Sequence, residues 1–336
     1  MKAAVWKGVN HVEIEEIPMP KPKVGEALIR VKSAGLCMTD VHIIQGSFNY
    51  TTPPHVLGHE ISGVVENDAG QFKKGDRVVV GTVMSCSKCR FCLSGLRYLC
   101  ENGGEIGFAP FQGGYAEYLS VPPENLYHLP ESLSFNEGGI FESFVCCFGS
   151  LQACGNILGK TVLIFGAGPA GLSFIITAKA AGAGKIILAA RNPARLKQAE
   201  EFGADVIIDI EKQDVHSAVA NITSGFGADL TIEAAGVPKS TADSITCASK
   251  AGTVLFYGIP SGNIPLPVSD IVTKKLTILG LMGNPDSYQA GLDLLSSGRA
   301  SIKNMITHTF SLENFNDAFD LVANKRDSVI KAVINP

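Results

Sequence analysis

The chain has 336 residues, 46% of them hydrophobic and 18% charged, with 28 Lys and Arg against 32 Asp and Glu for a net charge of −4. That length is enough for two hydrophobic cores. The composition excludes a disordered chain, and the slightly acidic balance excludes a basic footprint for nucleic acid or an anionic membrane, so a small molecule is the expected partner.

The segment from Met1 to Lys7 runs on to Val12-Glu13-Ile14-Glu15 without the apolar core of a signal peptide. No stretch is apolar for long enough to span a bilayer, and a cytoplasmic protein is expected. Four of the nine cysteines are packed at metal spacing in one short segment, a use that suits a reducing compartment.

Up to about residue 140 the chain is a series of short β-like runs: Ala27 to Val31, Ser62 to Val65, Arg77 to Val80 and Tyr115 to Val121. Gly and Pro punctuate them, with Gly75-Asp76-Arg77 as a turn before a strand. This predicts a compact, mostly antiparallel β domain with long loops. Within it, Cys37 lies in Gly35-Leu36-Cys37-Met38-Thr39-Asp40-Val41-His42, and His59 and Glu60 stand directly before the β-branched run Ile61-Ser62-Gly63-Val64-Val65. A thiolate, an imidazole and a carboxylate are the donor set of a catalytic zinc. Taken singly, His59 reads as a core histidine and Cys37 as a small buried hydrophobe. Glu142, in Ile140-Phe141-Glu142-Ser143-Phe144, is a further candidate donor, or an acidic residue favoured by a helix N-terminus.

The loop from Cys86 through Cys89 and Cys92 to Cys100 separates its cysteines by two, two and seven residues. A tight turn aims three sulfurs at one point and a return segment delivers the fourth. Four thiolates fill a tetrahedron and leave no position for substrate, so a structural zinc is expected there.

From about residue 147 the pattern changes. Lys160 to Phe165 reads as a buried strand, Gly166-Ala167-Gly168-Pro169-Ala170-Gly171 follows it, and Leu172 to Ala181 reads as a helix. Glycines between strand and helix allow a pyrophosphate to approach the helix N-terminus. Further strands are predicted at Lys185 to Ala189, Val206 to Asp209, Leu230 to Glu233, Thr253 to Tyr257 and Thr277 to Gly280, with helical stretches between most of them. That alternation predicts a doubly wound parallel sheet. Pro285 to Ser297 and Glu313 to Asn324 then read as helices, and Val329 to Ile334 as a last strand.

These residues, with Gly113-Gly114-Tyr115-Ala116-Glu117-Tyr118, resemble the zinc-dependent medium-chain dehydrogenases/reductases of the alcohol, polyol and threonine dehydrogenase group, over essentially the whole chain. The resemblance implies an α/β fold: a GroES-like β-rich catalytic domain, 1–146 and 285–336, with its structural zinc lobe at 84–101, and an inserted Rossmann coenzyme domain at 147–284. It implies two zinc ions per chain, the catalytic one on Cys37 and His59 with Glu60 or Glu142. Thr39 resembles the hydroxyl that contacts the substrate oxygen, and His42 the group that passes the proton to solvent. Asp40 reads as a residue orienting a ligand or backbone. The coenzyme site implied comprises Gly166, Gly168, Pro169, Ala170, Gly171, Ala190, Arg191, Arg195, Ala235 and Gly258. A homo-oligomer, dimer or tetramer, is expected.

Two departures stand out. NAD-dependent relatives end the second coenzyme-domain strand in an acidic residue, whereas this chain has Ala190 followed by Arg191, which favours NADP while leaving NAD possible. Sorbitol-type relatives carry an Arg-Tyr pair after the last coenzyme-domain strand, whereas the matching stretch here is Gly280-Leu281-Met282-Gly283-Asn284. The expected activity is hydride transfer between a secondary hydroxyl of a small polar alcohol, or its ketone, and a nicotinamide coenzyme. A threonine-type amino-alcohol dehydrogenase and a non-catalytic coenzyme-binding protein are the alternatives.

Overall fold

The computed structural model describes residues 1–283 and 285–336, Pro285 by its backbone alone. The chain divides into two compact units: Met1–Ser143 with Pro285–Gly298 and Ile302–Pro336, and Phe144–Asn284 with Arg299–Ser301.

The first unit is built around the strand Ala27–Gly35. It pairs antiparallel with Glu60–Val65, Tyr118–Val121 and Lys331–Asn335. Arg77–Val80 extends the sheet beyond Glu60–Val65, and Leu126–His128 closes that side. A second small sheet pairs Lys2–Gly8 with His11–Glu16 and His55–Val56. Alternating residues of the central strand, Ala27, Ile29 and Val31, enter a core with Leu36, Ile61, Phe72, Tyr115, Phe315 and Ile334.

The antiparallel expectation has one exception. Ile306–Ser311 runs parallel to Lys331–Asn335, because the helix Phe315–Ala323 between them carries the chain back to the same end. The strand expected from Tyr115 begins instead at Tyr118. Residues 113–115 bond elsewhere: the Tyr115 N–H donates to the Leu57 carbonyl at 3.1 Å, and its own carbonyl accepts from the Ala4 N–H at 2.8 Å. The helix expected from Pro285 becomes α-helical at Tyr288, after a 3-10 turn. That expected from Glu313 starts at Phe315, and the last strand covers Lys331–Asn335 rather than starting at Val329.

The second unit is a six-stranded parallel sheet. In spatial order its strands are Val206–Asp209, Lys185–Ala190, Thr161–Phe165, Ala228–Glu233, Ala248–Phe256 and Thr277–Gly280. The strands Thr161–Phe165 and Lys185–Ala190 are buried almost without interruption, as expected where helices cover both faces. The strand order reverses between Thr161–Phe165 and Ala228–Glu233, which opens a crevice at their carboxyl ends. Among the described residues no helix is long and apolar enough to cross a membrane.

Candidate functional site

The central strand of the first unit ends at Gly35, and Cys37 caps the short helix Met38–Ile44 that follows. Asp40, in the first turn of that helix, is fully buried. Its Oδ2 accepts from the Cys37 N–H at 3.2 Å and from the Tyr115 hydroxyl at 2.7 Å, while its Oδ1 lies 3.5 Å from His59 Nδ1. Burial pushes the Asp40 carboxyl up, but His59, Tyr115 and the Cys37 amide outweigh it and hold it below the ordinary carboxylate range. For His59 burial pushes down, and Asp40 and Cys37 together raise it well above its ordinary value.

His59 and Glu60 arrive from the neighbouring strand through Gly58, whose φ of +97° only glycine adopts readily, and whose missing Cβ leaves room for the Tyr115 ring at 2.9 Å. Cys37, His59 and Glu60 converge, with one ligand atom of each within 4.8 Å of the others. With Nδ1 facing Asp40, His59 has Nε2 left as a donor to a metal, an arrangement usual for ligating histidines. Glu60 Oε1 accepts from Lys331 Nζ at 2.5 Å, and its Oε2 is buried with no partner among the described residues. Leaving a buried carboxylate oxygen unsatisfied is costly. A thiolate, an imidazole nitrogen and this orphaned oxygen fit a divalent zinc.

Thr39 Oγ1 lies 3.6 Å from Cys37 Sγ, so it borders the same point. His42 is exposed on the helix, with Ser47 Oγ 3.4 Å from its Nδ1. Glu142 is half-buried in the first turn of the helix Phe141–Ala153, near enough to Lys331 to act on its ammonium. The residue missed from the sequence is Lys331, only 3% exposed. A lone lysine inside Val329-Ile330-Lys331-Ala332-Val333-Ile334 was the available signal.

The sulfurs of Cys86, Cys89, Cys92 and Cys100 also lie within 4.8 Å of one another. The turn Arg90–Leu93 places Cys92 beside Cys89, with their sulfurs 3.5 Å apart, and the return segment brings Cys100 Sγ to 3.9 Å from that of Cys89. Cys100 Sγ accepts from the Cys86 N–H at 3.2 Å. Backbone amides, that of Lys88 foremost, pull the Cys86 thiol down to about 6. A thiolate there is ready to bind a cation.

In the second unit, Gly166 (φ +102°) turns the chain out of the strand Thr161–Phe165. Gly168 caps the helix Pro169–Ala180 and Pro169 is its first residue. Gly168 has no side-chain cap bond, which leaves the first amides of the helix open to a ligand. Gly171 packs directly against the Gly166 carbonyl, a place where any Cβ would collide. Across the crevice, the Ala235 and Gly236 amides donate to the buried Glu233 carboxylate, both at 3.0 Å, and Gly258 N–H donates to the Glu233 carbonyl at 2.9 Å. Ala190 ends its strand and Arg191 is exposed beyond it. Arg195 is half-buried, donating to Gln198 Oε1 at 3.2 Å, and its N–H caps onto Asn192 Oδ1. In the stretch from Gly280, Asn284 lies outside the described residues.

Two family models match this chain: the alcohol dehydrogenase GroES-like domain over residues 23–131, and the zinc-binding dehydrogenase domain over residues 169–297. Sorbitol dehydrogenase of Bacillus subtilis is 32% identical over 100% of this chain and 97% of its own length. L-threonine 3-dehydrogenase of the same organism is 33% identical over 96% of this chain and 95% of its own. A crystal structure from Sinorhizobium meliloti, described as a zinc-binding dehydrogenase bound to NADP, superposes with a TM-score of 0.93 at 31% identity, covering 100% of this chain and 99% of that one.

Proposed function

The chain belongs to the zinc-dependent medium-chain dehydrogenases, and from that premise we propose that it oxidises a secondary hydroxyl of a small polar alcohol, or reduces the matching ketone, with a nicotinamide coenzyme. The observation that carries this reading is the convergence of Cys37, His59 and Glu60 with one buried Glu60 oxygen unpartnered. The first unit supplies the catalytic centre and the second binds the coenzyme.

Cys37 and His59 would hold the catalytic zinc with Glu60 or Glu142 as the remaining protein ligand, and the unpartnered Glu60 oxygen favours Glu60. When bound, the zinc supplies Lewis-acid stabilisation of an alkoxide. Asp40 fixes the His59 ring and its tautomer. Thr39 contacts the substrate oxygen through its hydroxyl, and His42, exposed at the surface, passes the hydroxylic proton on toward solvent. Cys86, Cys89, Cys92 and Cys100 hold a second, structural zinc, giving two per chain.

Gly166, Gly168, Pro169, Ala170 and Gly171 cradle the coenzyme pyrophosphate, with Ala235 and Gly258 lining the crevice. Arg191, beside Arg195 and after the uncharged Ala190, favours the 2′-phosphate of NADP over NAD. Four cysteines gathered at one point suit a reducing compartment, and a cytoplasmic site of action goes with that reading. A homo-oligomer is the expected assembly.

The amino-alcohol reading is the second one, supported by the 33% identity to L-threonine 3-dehydrogenase. Assay of polyols, sugar phosphates and amino alcohols with both coenzymes, alongside zinc analysis, tests all of this. Two zinc ions and turnover of a secondary alcohol are expected. Absence of turnover in zinc-replete protein across that panel would overturn the reading.

A further inference from the structure

A cavity of about 210 Å³ is lined among others by Tyr50, Arg97, Tyr98, Glu105 and Phe108, and Phe108 links it to the converging donors through His59. The Phe108 ring packs on His59 with centroids 5.5 Å apart and on Tyr50 at 5.6 Å, and Tyr50 stacks on Phe48 at 4.7 Å. An aromatic wall therefore leads from the ligand histidine to the cavity.

Glu105 stands in that cavity without neutralisation. It ends the short strand Gly104–Glu105, pinned antiparallel to Val83–Met84 five residues after Cys100. Its carboxylate makes no hydrogen bond or ion pair among the described residues. Arg97, the cation on the same cavity, hydrogen-bonds the Tyr127 side chain instead. Burial pushes the Glu105 carboxyl up, and His59, near enough to be felt, opposes this. A half-buried carboxylate costs free energy until something donates to it.

We propose that this cavity receives the hydroxylated end of a polyol substrate, with Glu105 accepting hydrogen bonds from hydroxyls two or more carbons beyond the reacting carbon. A carboxylate offers two acceptor oxygens, which suits neighbouring hydroxyls, and the C–H faces of such a chain pack against the Tyr50 and Phe108 rings. The inference rests on the alcohol dehydrogenase reading and assigns its substrate class through a residue that is not itself one of the zinc donors.

The test compares zinc-loaded, full-length wild type with Glu105→Ala and Glu105→Gln on 2,3-butanediol, a tetritol, a pentitol, a hexitol and L-threonine. Glu105→Ala is expected to lower kcat/KM for the polyols about ten- to a hundredfold, chiefly through KM. The loss on 2,3-butanediol, which carries no hydroxyl beyond its diol, should be at least about tenfold smaller. Glu105→Gln, which keeps one acceptor, should fall between. Equal losses on butanediol and polyols would mean that Glu105 acts through His59, and would overturn the inference. A loss confined to L-threonine would overturn it in favour of an ammonium-binding site. Wild type that oxidises butanediol but no polyol also overturns it while sparing the dehydrogenase reading, whereas wild type inactive on the whole panel overturns both.

Discussion

Lys331 and Glu60 form an ion pair with almost no access to water, at 2.5 Å between Nζ and Oε1, and they come from strands 271 positions apart in the chain. The pair turns one oxygen of Glu60 toward a fixed cation and leaves the other without a partner among the described residues. Removing one partner strands the other as an uncompensated buried charge, at about 3–5 kcal/mol. Lys331→Met should therefore lower the urea midpoint clearly, and Lys331→Met with Glu60→Gln should recover much of that loss. Zinc affinity, read by chelator competition, should fall about 10–100-fold in the single variant. A Lys331→Met protein with unchanged midpoint and zinc affinity would show that the pair does neither.

The same pair has a defined pH signature. Burial pushes the Lys331 ammonium down, and Glu60 and Cys37 more than restore it, so its folded value lies above the ordinary 10.5. A raised lysine contributes stability that is fully present below its unfolded value and is lost as pH rises through the folded one. The stability gap between wild type and Lys331→Met should hold steady from about pH 7 to 9 and close only above about pH 10.5. A gap that shrinks between pH 7 and 9 would contradict this assignment.

Cys37→Ala and His59→Ala should each bring the zinc content from two per chain toward one. Loss of a metal ligand removes several kcal/mol of alkoxide stabilisation, which is roughly a thousandfold or more in kcat. Coenzyme affinity, followed by fluorescence titration, should change by less than about threefold, since the metal donors and the glycine turn at Gly166 belong to different units of the chain. Normal turnover in zinc-depleted protein would refute the metal's role.

Cys89→Ser acts on folding instead of chemistry. Cys89 Sγ lies against the sulfurs of both Cys92 and Cys100, and zinc binding energy at a closed site is folding energy. A fall in melting temperature of about 10 °C or more is expected. A Cys89→Ser protein that melts with the wild type would mean that the four sulfurs hold no structural metal.

Coenzyme choice turns on the end of one strand. A charge-assisted contact between Arg191 and a 2′-phosphate is worth roughly 1.5–3 kcal/mol, or about ten- to a hundredfold in favour of NADP. Ala190→Asp with Arg191→Ile should reverse the ratio of kcat/KM for the two coenzymes. A ratio that favours NAD from the start and does not move would place Arg191 outside the coenzyme site.

The local signals were strong in the sequence wherever a covalent spacing or a periodic run determines the outcome. The four cysteines at intervals of two, two and seven residues close on one point because a tight turn permits little else. The alternation of apolar runs with helical stretches after residue 147 became a parallel sheet because such runs need cover on both faces. Cys37, His59 and Glu60 were legible as donors by type. Their convergence was decided by the antiparallel pairing of Gly35 with Glu60, a register that no local pattern encodes. Tyr115 looked like the start of a strand, yet its hydroxyl is drawn to Asp40 and its backbone to Leu57 and Ala4, partners supplied only by the assembled unit. Lys331 is the clearest case. In sequence it is a charge that breaks an apolar strand, and only the tertiary structure brings Glu60 against it, because a buried ion pair exists only when two distant segments deliver opposite charges to the same dry place.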